Sequence, residues 1–272
     1  MQSPFTRFKT RNILFDFVLI SFGLVIIVSL ASLSVGINFE IKNEFVNYIL
    51  NCLIMILVCV TTYFRLKKYQ FNFKQLIGKT SFNDVPWLLL FIVFYAQENI
   101  VSAFSYLTLF ITNIFSPDLV KSAVEELEIQ YVYNTHLLLL KVLYFVLVTF
   151  SLVIIAPITE EFIFRGVLLH RLNAKWGITS ALLVTSILFG LAHLDIFFLE
   201  RTISGVIQAL LYIKTRMLLV PVLLHAMHNA LVLINTIIRD FSSSNNKDPI
   251  TVAYLWYVDK HYTFFFSTVL FP

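Results

Sequence analysis

Charge is scarce in this chain. Of 272 residues, 20 are Lys or Arg and 16 are Asp or Glu, 13% in all, about half the share of roughly 25% carried by a soluble globular domain. Too few charges remain to cover a water-facing surface, so a soluble fold is excluded in practice. The mean hydropathy of +0.83 and the 28 Phe exclude a disordered chain. Cysteine is almost missing. Cys52 and Cys59 lie in one apolar run, which supports neither a disulfide framework nor a thiolate zinc site. The chain has no internal repeat, no soluble domain, and no low-complexity tract beyond Ser242–Asn246. The net charge of +4 resolves into loops and needs no nucleic-acid partner.

What is there is a series of apolar runs. A spanning helix needs roughly 20 mostly apolar residues. Candidate spans are Ile13–Val35, Phe45–Phe64, Pro86–Phe115 (interrupted by Gln97, Glu98 and Asn99), His136–Ile158, Ile178–Leu199 and Leu218–Ile238. The first follows Arg7, Lys9 and Arg11 but is too long for a signal-peptide core, and reads as a retained span. Thr202–Ile213 is a half-span or a buried helix, and Ile250–Pro272 either crosses or lies in the interface. The expected fold is therefore all-α, a polytopic membrane bundle of about 7–8 transmembrane or buried helices. It divides into N-terminal helices over 1–135, a catalytic helical core over 136–240 and a C-terminal apolar segment over 241–272, one integrated membrane domain. Basic residues fill alternate loops: Arg65, Lys67, Lys68, Lys74 and Lys79, then Arg165, Arg171 and Lys175, then Lys214 and Arg216. Glu125, Glu126 and Glu128 occupy a loop between them, which predicts a cytoplasmic N-terminus.

Ionisable groups at membrane depth are costly, and each is a functional hypothesis. Three clusters stand out. In Thr159-Glu160-Glu161-Phe162-Ile163-Phe164-Arg165, Glu161 and Arg165 are i and i+4, spaced for an ion pair. Glu160 projects about 100° away and can serve another cavity. The plainer reading is a charged helix end at the membrane surface. Phe189-Gly190-Leu191-Ala192-His193 puts an imidazole in the fifth span, where a hydrogen-bonded core histidine is the ordinary alternative. Asp195 points to another face and is an uncertain partner. His225-Ala226-Met227-His228-Asn229 places His225 and Asn229 one turn apart, two donors for a developing oxyanion. An interhelical hydrogen-bond cluster is the alternative there. Together, a carboxylate, imidazoles and an amide on three apolar segments supply a base, an orienting group and oxyanion donors.

The ordered set Glu160-Glu161-x-x-x-Arg165, Phe189-x-x-x-His193 and His225-x-x-x-Asn229 resembles the CPBP family of intramembrane proteases. These are the CAAX proteases and bacteriocin-processing enzymes, also called the Abi family, related to the type II CAAX prenyl endopeptidases. The resemblance covers about Val153–Leu233. It implies hydrolysis of a peptide bond in or just below the bilayer, in a membrane-associated protein or peptide. By resemblance, Glu160 with His193 activates the attacking water, Arg165 holds the motif through Glu161, His225 and Asn229 stabilise the oxyanion, and Phe189 packs.

The family has been described both as metalloproteases and as glutamate-dependent proteases. No His-Glu-x-x-His occurs, and no cofactor is the favoured reading. If zinc is used, Glu160 (or Glu161), His193, His225 and His228 are its candidate ligands, since three N/O donors plus water suffice. Other polar residues read more plainly. Gln97, Glu98 and Asn99 line a cavity or make a buried helix contact, Lys141 snorkels, and the Arg65–Lys79 loop sets topology or touches anionic lipid. The end, Val269-Leu270-Phe271-Pro272, is no Cys-a-a-X box, so the chain is not expected to be prenylated. The Phe/Ile/Asn/Lys-rich composition suggests a bacterial plasma-membrane protein, with a leader-bearing, bacteriocin or signalling peptide as substrate. A non-catalytic bacteriocin self-immunity or scaffold protein is the main rival, and a proton-coupled transporter the other.

Overall fold

The computed structural model describes residues 42–68, 73–120, 138–193 and 195–242. The expected spans over 13–35 and 250–272, and most of the acidic loop, lie outside them. The described residues are helical, with no strand among them, so the protein is all-α. In chain order the helices are α1 (Lys42–Lys68), α2 (Phe73–Ile77), a short 3₁₀ turn (Phe82–Asp84), α3 (Trp87–Phe115), α4 (Leu138–Thr149), α5 (Ala156–Glu161), α6 (Leu169–Trp176), α7 (Ile178–Leu191), α8 (Phe198–Thr215) and α9 (Leu219–Ser242). Two π-helical stretches, Phe150–Ile155 and Phe162–Leu168, join α4, α5 and α6 without a break.

Among the described residues, two helical runs are long and apolar enough to cross a membrane, Trp87–Phe115 and Val142–Trp176. Such a helix can also be the core of a soluble protein, but these have only 28% and 33% of their most apolar windows buried. On α3, Leu88 is 77% and Phe115 82% exposed. Apolar side chains bared along a whole helix belong in hydrocarbon, not in water. The protein is therefore read as an integral membrane protein.

The expected fourth span ends at Ile158. The structure corrects this: the helix continues through both glutamates to Trp176, because Glu161 and Arg165 neutralise one another inside it and no proline follows before the turn at Gly177. Its 35-residue apolar run would reach about 52 Å at α-helical rise, more than the roughly 40–45 Å of a bilayer with its headgroups. The Arg171 and Lys175 end thus has length to emerge. The fifth span is also shorter than expected, since α7 stops at Leu191, and Thr202–Ile213 is the interior of a full helix, α8.

The described residues fall into two compact units. The first holds 42–68, 73–85, 138–185 and 208–229. Its core joins Leu66 of α1, Leu76 of α2 and Val167 of the second π stretch. Beside them pack Leu169 and Leu172 of α6, Ala181 of α7, Tyr212 of α8 and Leu218. Polar ties fasten the short α2 to this end. The Tyr212 hydroxyl donates to the Leu76 carbonyl at 2.8 Å, and the Leu218 N–H donates to Ile77 O at 2.9 Å. Since Tyr212 spends its proton on Leu76, His170 Nε2, 2.8 Å from the hydroxyl, is the donor there. Gly78 has φ +71°, and a Cβ on it would stand 1.9 Å from the Arg216 carbonyl oxygen. Only glycine fits where these two loops meet.

The second unit holds 86–120, 186–193, 195–207 and 230–242. On α3, Gln97, Glu98, Ser102 and Ser105 are buried while Asn99 is exposed and donates to Tyr95 O at 2.7 Å. Gln97 and Glu98 are thus on the buried side of α3 and Asn99 is not.

Candidate active site

Glu160 and Glu161 of the first motif sit between the two π stretches, and Arg165 lies within the second. A π turn bonds i to i+5 and widens the helix by one residue, a feature concentrated at functional sites. The Ala156 N–H reaches Ser151 O and the Leu169 N–H reaches Phe164 O. This local slip lets consecutive side chains leave the ordinary 100° spacing.

Glu161 is fully buried and Arg165 is 2% exposed. Arg165 Nη1 donates to Glu161 Oε1 at 2.7 Å, the i,i+4 pair that the spacing predicts. A plain helix end at the membrane surface does not describe this pair. His225 Nδ1 approaches the same oxygen at 3.1 Å. A carboxylate held by Arg165 is an acceptor, so His225 carries its proton on Nδ1 and its other nitrogen bears the lone pair when the ring is neutral. That nitrogen, Nε2, lies 4.0 Å from Glu160 Oε2, too far for a direct hydrogen bond. Glu160 Oε2 is buried and has no hydrogen-bond partner. A buried polar atom without a partner is rare and costly. Glu161 Oε2 is likewise buried without a partner, so the two adjacent glutamates differ in their neighbours: Glu161 Oε1 is held by Arg165 and His225, whereas Glu160 Oε2 lies beside the imidazole that Glu161 orients.

Gln208 completes the network, and sequence reasoning missed it. It is 1% exposed on α8, and its Oε1 accepts from Arg165 Nη2 at 2.7 Å. A glutamine 43 residues from its partner carries no local signal; its placement in a short apolar helix was the only hint. Asn229 is brought to the same unit, but its Nδ2 donates to the Leu152 carbonyl at 2.7 Å. Leu152 lies in the first π stretch, so the amide serves a widened turn of backbone.

His193 belongs to the second unit, and its position differs from expectation. It is not deep in a span but in the turn that follows α7, its N–H on Gly190 O at 3.3 Å. Gly190 explains the early end of the helix: a Cβ there would meet Phe198 O at 2.6 Å, so α8 crosses tightly over this turn. His193 Nδ1 donates to Phe189 O at 2.9 Å, which leaves the lone pair on Nε2. Phe189 is 3% exposed and its ring meets the imidazole edge-on at 5.2 Å. Asp195 pairs with Arg201 through both carboxylate oxygens and accepts the Phe197 N–H at 3.0 Å, pinning the start of α8.

For a metal, Glu160 Oε2 and His225 Nε2 offer two donors on one side of the cavity, where catalytic zinc takes three. Among the described residues no group of three or more His, Cys, Asp or Glu side chains converges as a ligand set.

Residues 142–231 match the family described as Type II CAAX prenyl endopeptidase Rce1-like. Among curated proteins, 82 residues are 38% identical to YdiL of Bacillus subtilis (strain 168), whose name suggests a membrane peptidase, covering 30% of this chain and 34% of that one. A 92-residue stretch is 38% identical to the "Membrane-embedded CAAX protease MroQ" of Staphylococcus aureus (strain USA300), 31% of this chain and 37% of that protein. An uncharacterized 24.3 kDa protein of Escherichia coli is 34% identical over 86 residues, 29% and 40% of the two chains. The chain thus spans little more than a third of the length of these relatives. No solved structure matches the chain at comparable significance. The segment 142–231 holds all three motifs, and over it the chain is similar to membrane proteases of the CAAX type.

Proposed function

We propose that the protein is an intramembrane endopeptidase in which Glu160 is the general base. The observation that carries this is the buried, unpartnered Glu160 Oε2 lying 4.0 Å from a His225 Nε2 whose tautomer Glu161 sets. A water between them accepts two hydrogen-bonding partners at ordinary distances of about 2.8 Å. Glu160 takes a proton from this water as its oxygen attacks the scissile carbonyl carbon. The carbonyl π electrons move to oxygen, giving a tetrahedral oxyanion. One amide proton of Asn229 is committed to Leu152 and the other serves the oxyanion, while His225 Nε2, with its lone pair, accepts the water's second hydrogen bond and orients it for attack. On collapse the C–N bond breaks and the proton held by Glu160 passes to the leaving amine. The family resemblance also implies a part for His193 in activating the water. Arg165, Glu161 and Gln208 position the ring and do not touch substrate.

The reaction runs without a metal, since the site supplies its own base and donors. The substrate is a peptide or protein held at the bilayer, a leader-bearing or signalling peptide of a bacterial plasma membrane; the name of MroQ places a CAAX protease among the relatives. Peptide mass spectrometry of membranes and medium, from cells expressing wild type or Glu160→Gln at matched levels, tests the reading. A cleaved product seen only with wild type is expected. Identical profiles from two folded proteins would overturn it in favour of a binding or immunity protein.

A further inference from the structure

The second unit buries a carboxyl that the proposed chemistry does not use. Glu200, in the first turn of α8, is 2% exposed, and neither of its oxygens has a hydrogen-bond partner. The hydroxyls of Ser105 and Thr108 on α3 stand beside it, short of hydrogen-bond geometry. Ser105 is itself buried and donates its proton to Val101 O at 3.1 Å. It has only lone pairs left for Glu200, and these repel a carboxylate but accept from a carboxylic acid. Among the described residues no cation is bonded to Glu200. The neighbouring Arg201 attracts it from a distance, with its own guanidinium on Asp195 through Nε and Nη2. The helices packed on this turn bring no counter-charge. α7 meets α8 at Gly190 and Gly205 and carries no charged residue. α3 carries Glu98 alone, buried on the face of Ser102 and Ser105. His193, in the turn before α8, has its Nδ1 proton on Phe189 O. Burying a carboxylate with neither hydrogen bonds nor a paired cation is costly, and such a group neutralises instead.

We propose that Glu200 is a proton-binding site, a neutral carboxylic acid that pins the first turn of α8 to Ser105 of α3 through its O–H. The proton removes the buried charge and sets a donor opposite a spare acceptor. Such an acid is also a modification site for an apolar carbodiimide. It passes its proton to one nitrogen of the reagent as its oxygen bonds the central carbon. The acyl group then migrates from that oxygen to nitrogen, leaving an N-acylurea with nothing expelled. An ionised carboxylate has no proton to give. The inference rests on Glu200 and its neighbours and holds whether or not the protein cleaves peptides.

Two measurements on the full chain in detergent, wild type and Glu200→Gln, test it. Glutamine copies the neutral acid in size and hydrogen bonding, so the two proteins should melt within a degree or so of one another at about pH 5. As pH rises, the unfolded chain releases the Glu200 proton while the folded chain keeps it, so wild type should fall a few degrees below the variant by about pH 8. Dicyclohexylcarbodiimide should add one reagent molecule to Glu200 of wild type, located by fragmentation of the digested peptide. Glu200→Gln should gain none at that position, and a water-soluble carbodiimide should leave it unmodified in wild type. A Tm difference that is the same at both pH values overturns the proposal. So does a Glu200 that the apolar reagent leaves unmodified, or that the water-soluble reagent modifies equally.

Discussion

Replacing Glu160 and Glu161 separately by Gln puts the two adjacent carboxylates to opposite tests. Glu161 is buried completely and its Oε1 receives both Arg165 Nη1 and His225 Nδ1. Its loss leaves a guanidinium that is 2% exposed facing a neutral amide. Removing one partner of a buried ion pair costs about 3–5 kcal/mol, because the other charge is left uncompensated. On the scaling for soluble domains of this size, about 2–4 °C per kcal/mol, that is a fall of about 6–20 °C in apparent Tm. Glu160 has no such partner. Its Oε2 makes no hydrogen bond and its side chain keeps 19% exposure, so an isosteric amide breaks no hydrogen bond at that oxygen and gives up only a longer-range attraction to Arg165. Glu160→Gln should keep Tm within about 2 °C or raise it, on a change below roughly 1 kcal/mol, yet abolish cleavage. Thermal unfolding in detergent, followed by tryptophan fluorescence, reads the first effect, and the peptide assay reads the second. Equal destabilisation by both substitutions, or a larger one from Glu160→Gln, would refute the division of roles drawn from the geometry.

Other outcomes follow from the same network. Gln208→Leu removes the acceptor of Arg165 Nη2 and should cost about 1.5–3 kcal/mol, the worth of a hydrogen bond to a charged group; denaturation in mixed micelles measures it, and Gln208→Glu should recover stability. Asn229→Leu strands the Leu152 carbonyl, so it should lower stability by about 1–3 kcal/mol as well as slow cleavage, whereas a residue serving only the oxyanion would slow cleavage alone. Gly190→Ala drives a Cβ against Phe198 O and should cost about 1–3 kcal/mol, seen as a lower Tm with reduced activity through the displaced His193 turn. Dialysis against a chelator should leave cleavage unchanged with no stoichiometric zinc by elemental analysis; activity lost and restored by zinc would reinstate a metal mechanism.

Much was legible in the sequence because it depends on composition and on local periodicity. A shortage of charge with long apolar runs dictates membrane helices, since hydrocarbon satisfies no backbone group and helices satisfy their own. The span over 86–115 and the Glu161–Arg165 pair needed only run length and the 3.6-residue repeat. The three motifs were visible because ionisable groups are conspicuous in apolar segments. The rest was not local. Nothing in hydropathy separates an i+4 from an i+5 bond, so the π stretches that make one rod of α4–α6 could not be read. Gln208 and the Leu152 carbonyl are partners chosen by packing across 43 and 77 residues. The short α7 reflects the close approach of α8 at Gly190, a tertiary constraint on where a helix ends. The sequence by itself determined the solvent of this protein and which side chains are candidates for chemistry. Tertiary structure alone decided that His225 and Gln208 join the Glu161–Arg165 pair, because hydrogen-bond partners from other helices are set by three-dimensional proximity and not by spacing along the chain.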